Sequence, residues 1–285
     1  QSLSSSDTGP FEAGFRKYAR IATGAAGTLA ANSYLDFYQH IEAQNIANSG
    51  WNYTSASSYI TVSFWLRCST NQTFYLFLRS RDGTDQAYAT PITASANNTW
   101  TKITKTIPGN SNITFNDDIG SGLTAAFIIT YGSDFTDNGR ATNTWAAHSS
   151  STHSPDVAST WLTAGASTFD VTGFQLEVGS VATDFEHRSY GQELALCQRY
   201  YEENQCTWAG YTAAAQGNGS LNVTYMTQKR AAATLTKKVS ESSVQSLTSV
   251  NLQDAHVSGF VIDTRINSSG YGRFYDLIAA SDAEL

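Results

Sequence analysis

The sequence predicts an all-β protein: a jelly-roll β-sandwich over residues 1–188, a short linking helix over 189–204, and a smaller C-terminal β domain over 205–285. Three observations predict it. Hydrophobic side chains recur at every second position in segment after segment, the period of a strand, while helical spacing is clear in only one place. Turn residues break these segments at short intervals, as in sandwiches and jelly rolls. The 285 residues include 6 Trp, 15 Tyr and 14 Phe but only 14% charged side chains, so aromatic strand formers meet a surface of Ser, Thr and Asn.

The elements follow in order. "SYLDFYQHIEA" turns Leu35, Phe37 and Ile41 to one side. "YITVSFWLRCS" puts Ile60, Val62, Phe64, Leu66 and Cys68 on one face and Thr61, Ser63, Trp65 and Arg67 on the other, a half-buried strand. "TFYLFLRSRDG" has Phe74, Leu76 and Leu78 inward and ends in a hairpin turn at Asp82-Gly83. "NNTWTKITKTIPGN" is a strand closed by Pro108-Gly109. "GLTAAFIITYG" alternates Leu123, Ala125, Phe127, Ile129 and Tyr131. In "TFDVTGFQLEV", Phe169 and Val171 alternate, Gly173 breaks the phase, and Phe174, Leu176 and Val178 resume it, the pattern of a bulge. Ser189 with Gln192 three residues on makes a capping box, and Leu194, Cys197 and Tyr201 recur at helical spacing. Beyond Glu203 alternation returns, for example at Leu221, Val223 and Tyr225. A module of that size buries only about 60% of its unfolded surface, so it is expected to lean on the first domain, on the helix or on copies of itself.

Charge and composition exclude several classes. Net charge is −7 with no basic stripe, which argues against nucleic acid and anionic membrane surfaces as partners. The apolar runs are strand-length, below the roughly 18 residues of a spanning helix, so no membrane insertion is expected. Three cysteines, without a Cys-x-x-Cys, suit neither a disulfide framework nor a zinc knuckle, and Cys68 reads as a small buried hydrophobe. The opening "QSLSSSDTG" lacks Met and reads as a flexible lead-in, so a fragment or processed chain is expected.

The segment "TFDVTGFQLEVGSVATDFEHRS", followed by "ELALCQRYYE", resembles one common in phage virion proteins, tail fibres and related appendages. There it ends a jelly roll of the carbohydrate-binding-module type and joins a small C-terminal β domain. "ITVSFWLRCS", "NNTWTKITKTIPGN" and the ending "DAEL" resemble the same group. The resemblance runs from Phe15 to Leu285 and is strongest from Phe169 to Glu202. It departs at Ala231–Ala233, where the family often has Pro, and from Asp134 to Ser167, where little beyond Trp145 matches. It implies a virion protein, a homotrimer, other virion proteins as partners, and a host-surface glycan or receptor as ligand. It also implies a structural calcium held by Glu177 on the last jelly-roll strand with Asp36 or Glu42. The alternative for Glu177 is a solvent-facing or capping carboxylate. No other cofactor is expected.

Sugar rings stack on aromatic faces while polar side chains take their hydroxyls. The long polar loop from Tyr131 to Trp161 supplies Trp161 and Phe135 as candidate stacking residues, with Asp137, Asn138 and Arg140 as hydrogen-bonders. Trp51 and Tyr53 form a second candidate rim. Each aromatic has an alternative reading as a loop anchor. His148 and His153, with Asp156 nearby, are read as plain surface histidines rather than a metal pair. Asp117-Asp118 and Asp134 with Asp137 do not make the two-acid arrangement of a glycosidase, and no nucleophile elbow, zinc-protease motif or phosphate loop is present. The expected function is therefore a phage fibre or spike component that attaches to host-surface glycan and is not an enzyme. A purely architectural capsid or tail decoration is the alternative, and a polysaccharide-degrading enzyme the less favoured one.

Overall fold

The computed structural model describes residues 1–94, 98–213, 217–267 and 269–284. The chain divides into two compact units, Gln1–Glu186 and His187–Leu285. Both are built from antiparallel strands.

In the first unit the alternating segments become nine strands: β1 (Ala19–Ala22), β2 (Tyr34–Glu42), β3 (Tyr59–Cys68), β4 (Thr73–Ser80), β5 (Gln86–Thr93), β6 (Thr101–Pro108), β7 (Ser121–Tyr131), β8 (Trp145–Ala147) and β9 (Thr168–Val178). Helix α1 (Ala43–Ala47) follows β2, and α2 (Thr160–Ala164) precedes β9. The strands form a four-stranded sheet, β1-β9-β3-β6, and a five-stranded sheet, β2-β7-β4-β5-β8. This is the jelly-roll sandwich that the sequence predicts.

The core is where the predicted inward faces meet. Val62, Phe64 and Leu66 of β3, Phe74, Leu76 and Leu78 of β4, and Leu123 and Ile129 of β7 are fully buried. Phe64 meets Phe127 edge-on at 4.8 Å between ring centroids, and Phe74 meets Phe169 at 5.1 Å, a favoured aromatic geometry.

Two bulges re-aim side chains. In β9, Ser63 pairs with Gln175 but Trp65 pairs with Thr172, so Gly173 and Phe174 oppose one residue of β3. Gly173 has φ +62°, and a Cβ there would lie 2.5 Å from the Phe15 ring. The bulge expected at Gly173 is thus present, and only glycine fits it. The second bulge corrects the sequence reading. Leu35 pairs with Thr130 but Asp36 with Ile128, which shifts the phase at the end of β7. Tyr131, expected on the core face, packs instead with Phe77, Ala126 and Ile128 on the outer side of the five-stranded sheet.

The second unit holds helix α3 (Tyr190–Gln198) and strands β10 (Tyr201–Thr212), β11 (Asn218–Thr224), β12 (Thr234–Val239), β13 (Ser242–Gln245), β14 (Leu247–Gln253), β15 (Gly259–Ile266) and β16 (Gly270–Asp282). Strands β10, β16 and β12 form one sheet, with β13 also on β16, and β11, β15 and β14 form another. Phe260, Ile262, Phe274, Leu277 and Cys206 fill its own core. The capping box is present: Ser189 Oγ accepts from Gln192 N, and Gln192 Oε1 accepts from Ser189 N at 3.0 Å.

The linking helix expected over 189–204 is shorter. It stops at Gln198, and Tyr201–Glu203 begin β10, paired with Asp282–Ala280 of β16. Backbone pairing with β16 draws these residues into a sheet, a tertiary override of the helical spacing. Leu194 and Leu196 remain 40% and 47% exposed, and no residue of α3 is buried.

Candidate functional site

The outer face of the five-stranded sheet carries the most chemistry in the first unit. Because β2, β7 and β4 turn hydrophobic residues inward at alternate positions, the intervening ones share the opposite face. Asp36, Tyr38 and His40 project from β2, Thr124, Ala126 and Ile128 from β7, and Tyr75, Phe77 and Arg79 from β4. The register aligns them in rows: Tyr38 opposite Ala126 opposite Phe77, and His40 opposite Thr124 opposite Arg79. Arg81 follows the end of β4, where its N–H donates to Gly122 O at 2.8 Å.

The long segment between β7 and α2 folds back over part of this face. Phe77, Ala87, Ala89, Ala126, Ile128, Tyr131 and Val157 make a second, smaller core there, with Tyr75 and Phe135 beside it. His153 lies on Phe77, ring centroids 4.3 Å apart and nearly parallel. What stays open is a cleft of about 250 Å³ floored by Phe77 and Ala126, with Asp36, Tyr38, His40, Thr124, Arg79 and Arg81 around it and His153 as one wall.

Hydrogen bonds fix these side chains. Tyr131 OH donates to Asp36 Oδ2 at 2.6 Å. His40 Nδ1 lies 2.8 Å from Thr124 Oγ1. Arg79 Nε donates to Asp85 Oδ2 at 2.7 Å, and Nη2 reaches the same oxygen at 2.5 Å. His148 Nε2 and His153 Nδ1 stand 2.8 Å apart, and His153 Nε2 is 3.5 Å from Tyr131 OH. Tyr38 is 54% exposed, with its ring 4.9 Å from that of His40.

Burial sets the protonation states. It pushes His153 down to about 3 and His148 down to about 4, with Arg79, Arg81 and Arg140 adding repulsion. His40 is lowered by burial and by Arg81 and Arg79. Tyr131 is raised by burial and by its bond to Asp36. At neutral pH the histidines are therefore uncharged, each able to donate from one ring nitrogen and accept at the other. The reading of His148 and His153 as plain surface residues is corrected: they form a contacting, half-buried pair, because the loop that carries them is packed on Phe77.

None of the binding residues expected from sequence lines this cleft. Trp161 is fully buried in the main core, and its backbone N–H donates to Gln72 Oε1 at 2.7 Å. A side chain of that area gains more from burial than from exposure in a loop, so Trp161 is not a stacking surface. Trp51 is likewise buried, its Nε1 donating to Ser58 O at 3.3 Å. Half-buried Tyr53 packs on Phe115 at 4.9 Å; this rim is an anchor for its loop. Phe135 packs edge-on against Tyr34 at 5.3 Å. Asp137 accepts from Gly139 N at 2.8 Å, and Arg140 donates to Thr152 O at 2.8 Å. Both build the loop. Asn138 is exposed.

The calcium set is not assembled. Glu177 accepts from Thr183 N and Thr183 Oγ1 at 2.9 and 2.7 Å and from Gln175 Nε2 at 3.0 Å. Burial opposes its charge, but these hydrogen bonds outweigh it and hold the carboxyl below the usual range. Glu177 is thus the capping carboxylate of its alternative reading, for the turn after β9. Asp36 belongs to the opposite sheet and bonds Tyr131, and Glu42 accepts from Gln44 Nε2 at 2.7 Å. Among the described residues no group of three or more His, Cys, Asp or Glu side chains could hold a metal ion.

Sequence reasoning missed the cleft because it followed the inward faces. The signal lay in the complement: Asp36, Tyr38 and His40 are the alternate residues of the same strand that gave Leu35 and Phe37.

No protein-family model matches the sequence, and no curated protein matches it. Among solved structures, the chain is similar to recombinant discoidin II of Dictyostelium discoideum. Identity is 11%, covering 81% of this chain and 76% of that one, with a TM-score of 0.20. For the wild-type discoidin II of the same organism, identity is 11%, coverage 80% and 72%, and the TM-score 0.19. Scores this low carry no argument about function.

Proposed function

We propose that the first unit binds glycan through the outer face of its five-stranded sheet, and that the chain is the attachment part of a phage virion fibre or spike. The observation that carries the glycan reading is the cleft itself. An exposed tyrosine ring stands among a carboxylate, two guanidiniums, a hydroxyl and neutral imidazoles, all held in place by hydrogen bonds. A sugar offers such a site an apolar C–H face and a ring of hydroxyls that donate and accept. The face is rigid, built on strands rather than on a loose loop, which limits the ordering cost of binding. One carboxylate lines the cleft, whereas glycoside hydrolysis takes two; this favours binding over catalysis. The virion setting, a homotrimer and other virion proteins as partners rest on the resemblance of residues 169–202. Copies arrayed on a fibre would add weak sites into avidity.

One observation favours the architectural reading. Tyr190 and Leu194, four positions apart and so on one side of α3, are 81% and 40% exposed, an apolar surface suited to packing on neighbouring copies.

The experiment is a glycan array and a host-cell binding assay on the intact chain, beside Tyr38→Ala. Binding that weakens about tenfold or more in the variant supports the glycan reading, since tenfold corresponds to about 1.4 kcal/mol, the scale of losing one aromatic contact. A blank array together with no binding to host cells would leave the architectural reading.

A further inference from the structure

We propose, resting on the glycan reading above, that the sugar bound in this cleft carries a carboxylate and that Arg81 is the residue that recognises it. Charge is laid out unevenly along the cleft. Arg79 is already neutralised, since both its Nε and Nη2 engage Asp85 Oδ2, at 2.7 and 2.5 Å. Arg81 reaches the same oxygen only at 4.0 Å, the outer limit of an ion pair. Its side chain is 34% exposed. One carboxylate thus serves two guanidiniums, and the farther of the two keeps most of its hydrogen-bonding capacity.

The negative group lies at the opposite end. Asp36 sits four positions before His40 on β2, about 13 Å along a strand, and the Tyr38 ring lies between them. Arg81 is beyond the His40 row, because it follows Arg79 in the chain. A ligand that touches both ends spans at least two sugar rings. It would accept from Arg81 through a carboxylate, lay a ring on Tyr38, and donate a hydroxyl to Asp36. Guanidinium and carboxylate match as planar forks, which gives both strength and direction. The chain as a whole carries −7, so at long range an acidic polymer is repelled, and its capture depends on a local open cation such as Arg81. That makes selection sharper than affinity alone.

The test compares acidic oligosaccharides with their own carboxyl-reduced forms, so that rings and linkages stay constant. The probes are galacturonate, glucuronate and mannuronate oligomers of four to six residues, titrated calorimetrically into the full chain. The expected result is at least one acid oligomer that binds about tenfold or more tightly than its reduced form, with the gap shrinking as salt is raised. Arg81→Gln should bring the acid form down to the affinity of the reduced one, and Arg81→Lys should restore only part of the difference. An unchanged melting transition in Arg81→Gln separates this from misfolding. Acid and reduced forms that bind equally, or neutral array glycans that bind while every acid oligomer fails, would overturn acid recognition and leave the glycan reading standing. If no sugar of any kind binds, both fall.

Discussion

Tyr131 reaches Asp36 across two neighbouring strands, its hydroxyl 2.6 Å from Oδ2, and it does so only because a bulge at the end of β7 turns it out of the core. The bulge links fold to site. Without it Tyr131 would continue the inward row of Ile129, and Asp36 would meet solvent alone. Replacing Tyr131 by Phe keeps the ring packing with Phe135 and His153 and removes the donor. The expected cost is about 1.5 kcal/mol, the low end for a bond to a charged group because Asp36 keeps some access to water. Urea unfolding followed by tryptophan fluorescence reads it, and an undiminished midpoint would show that the bond contributes nothing net.

The burial of Trp161 makes a sharp prediction against its reading as a sugar platform. Trp161→Ala should open a cavity in the main core and destabilise the first unit by about 3–5 kcal/mol, while Trp161→Phe should cost much less. A surface platform would behave otherwise, losing ligand binding with an unchanged transition. Five of the six tryptophans lie in this unit, so fluorescence on denaturation reports on it.

What the sequence showed and what it hid divide along a physical line. Inward faces were legible because burial imposes a strict period of two, and Phe64, Leu76 and Leu123 stand where alternation puts them. The capping box at Ser189 and the bulge at Gly173 were legible because each needs particular residues at fixed offsets. The path of the loop after Tyr131 was not, since polar loops carry no period. Its return over Phe77 is what makes the cleft and buries the histidine pair. Trp161 was misplaced for the same reason: a tryptophan in a five-residue helix between polar stretches gives no sign of which side it faces. The end of α3 was misjudged because the strand that claims Tyr201 lies some eighty residues away, on β16.

Gly173 offers a matched pair with Gly191. At Gly173 an added Cβ meets the Phe15 ring at 2.5 Å in a left-handed backbone. The conformation alone costs roughly 1–2 kcal/mol, and overpacking adds more, so Gly173→Ala should lower the stability of the first unit by at least that much. Gly191 lies in α3 with nothing within 4 Å of the added atom. There alanine should stabilise the helix by about 0.5–1 kcal/mol. Equal effects at the two sites, measured by local hydrogen exchange, would contradict the bulge geometry.

The histidine pair predicts a pH dependence. Folding lowers His148 to about 4 and His153 to about 3, chiefly by burial, against roughly 6.5 in the unfolded chain. Because the folded values are depressed, the unfolded state binds more protons as pH falls below about 6.5. Stability is then full above that pH and declines toward pH 3. Arg79, Arg81 and Arg140 face the pair and reinforce the effect, and Asp85 partly offsets it for His148. Thermal melts between pH 8 and pH 4 should slope downward in the acid range, and His148→Gln/His153→Gln should flatten the slope. A parallel profile in the double variant would mean that other groups set the acid response.

In the second unit Lys229 has a fully buried side chain and donates to Gln198 O and, at 3.2 Å, to Glu202 Oε2. Glu202 also accepts from Met226 N and from Asn204 Nδ2. The pair fastens the end of α3 and the start of β10 to the loop after β11, which is where the chain turns from helix to sheet. Its attraction is offset by the cost of taking two charges out of water, so its net contribution is small while both are present. Removing one partner is different. Glu202→Gln leaves the ammonium buried without its counter-charge and should cost about 3–5 kcal/mol, whereas Lys229→Met/Glu202→Gln together should cost less than the sum of the single changes. Hydrogen exchange read on peptides from 199–230 measures each variant in the intact chain. Strict additivity would show that the two side chains act independently, and that the turn from α3 into β10 is fixed by its backbone pairing alone.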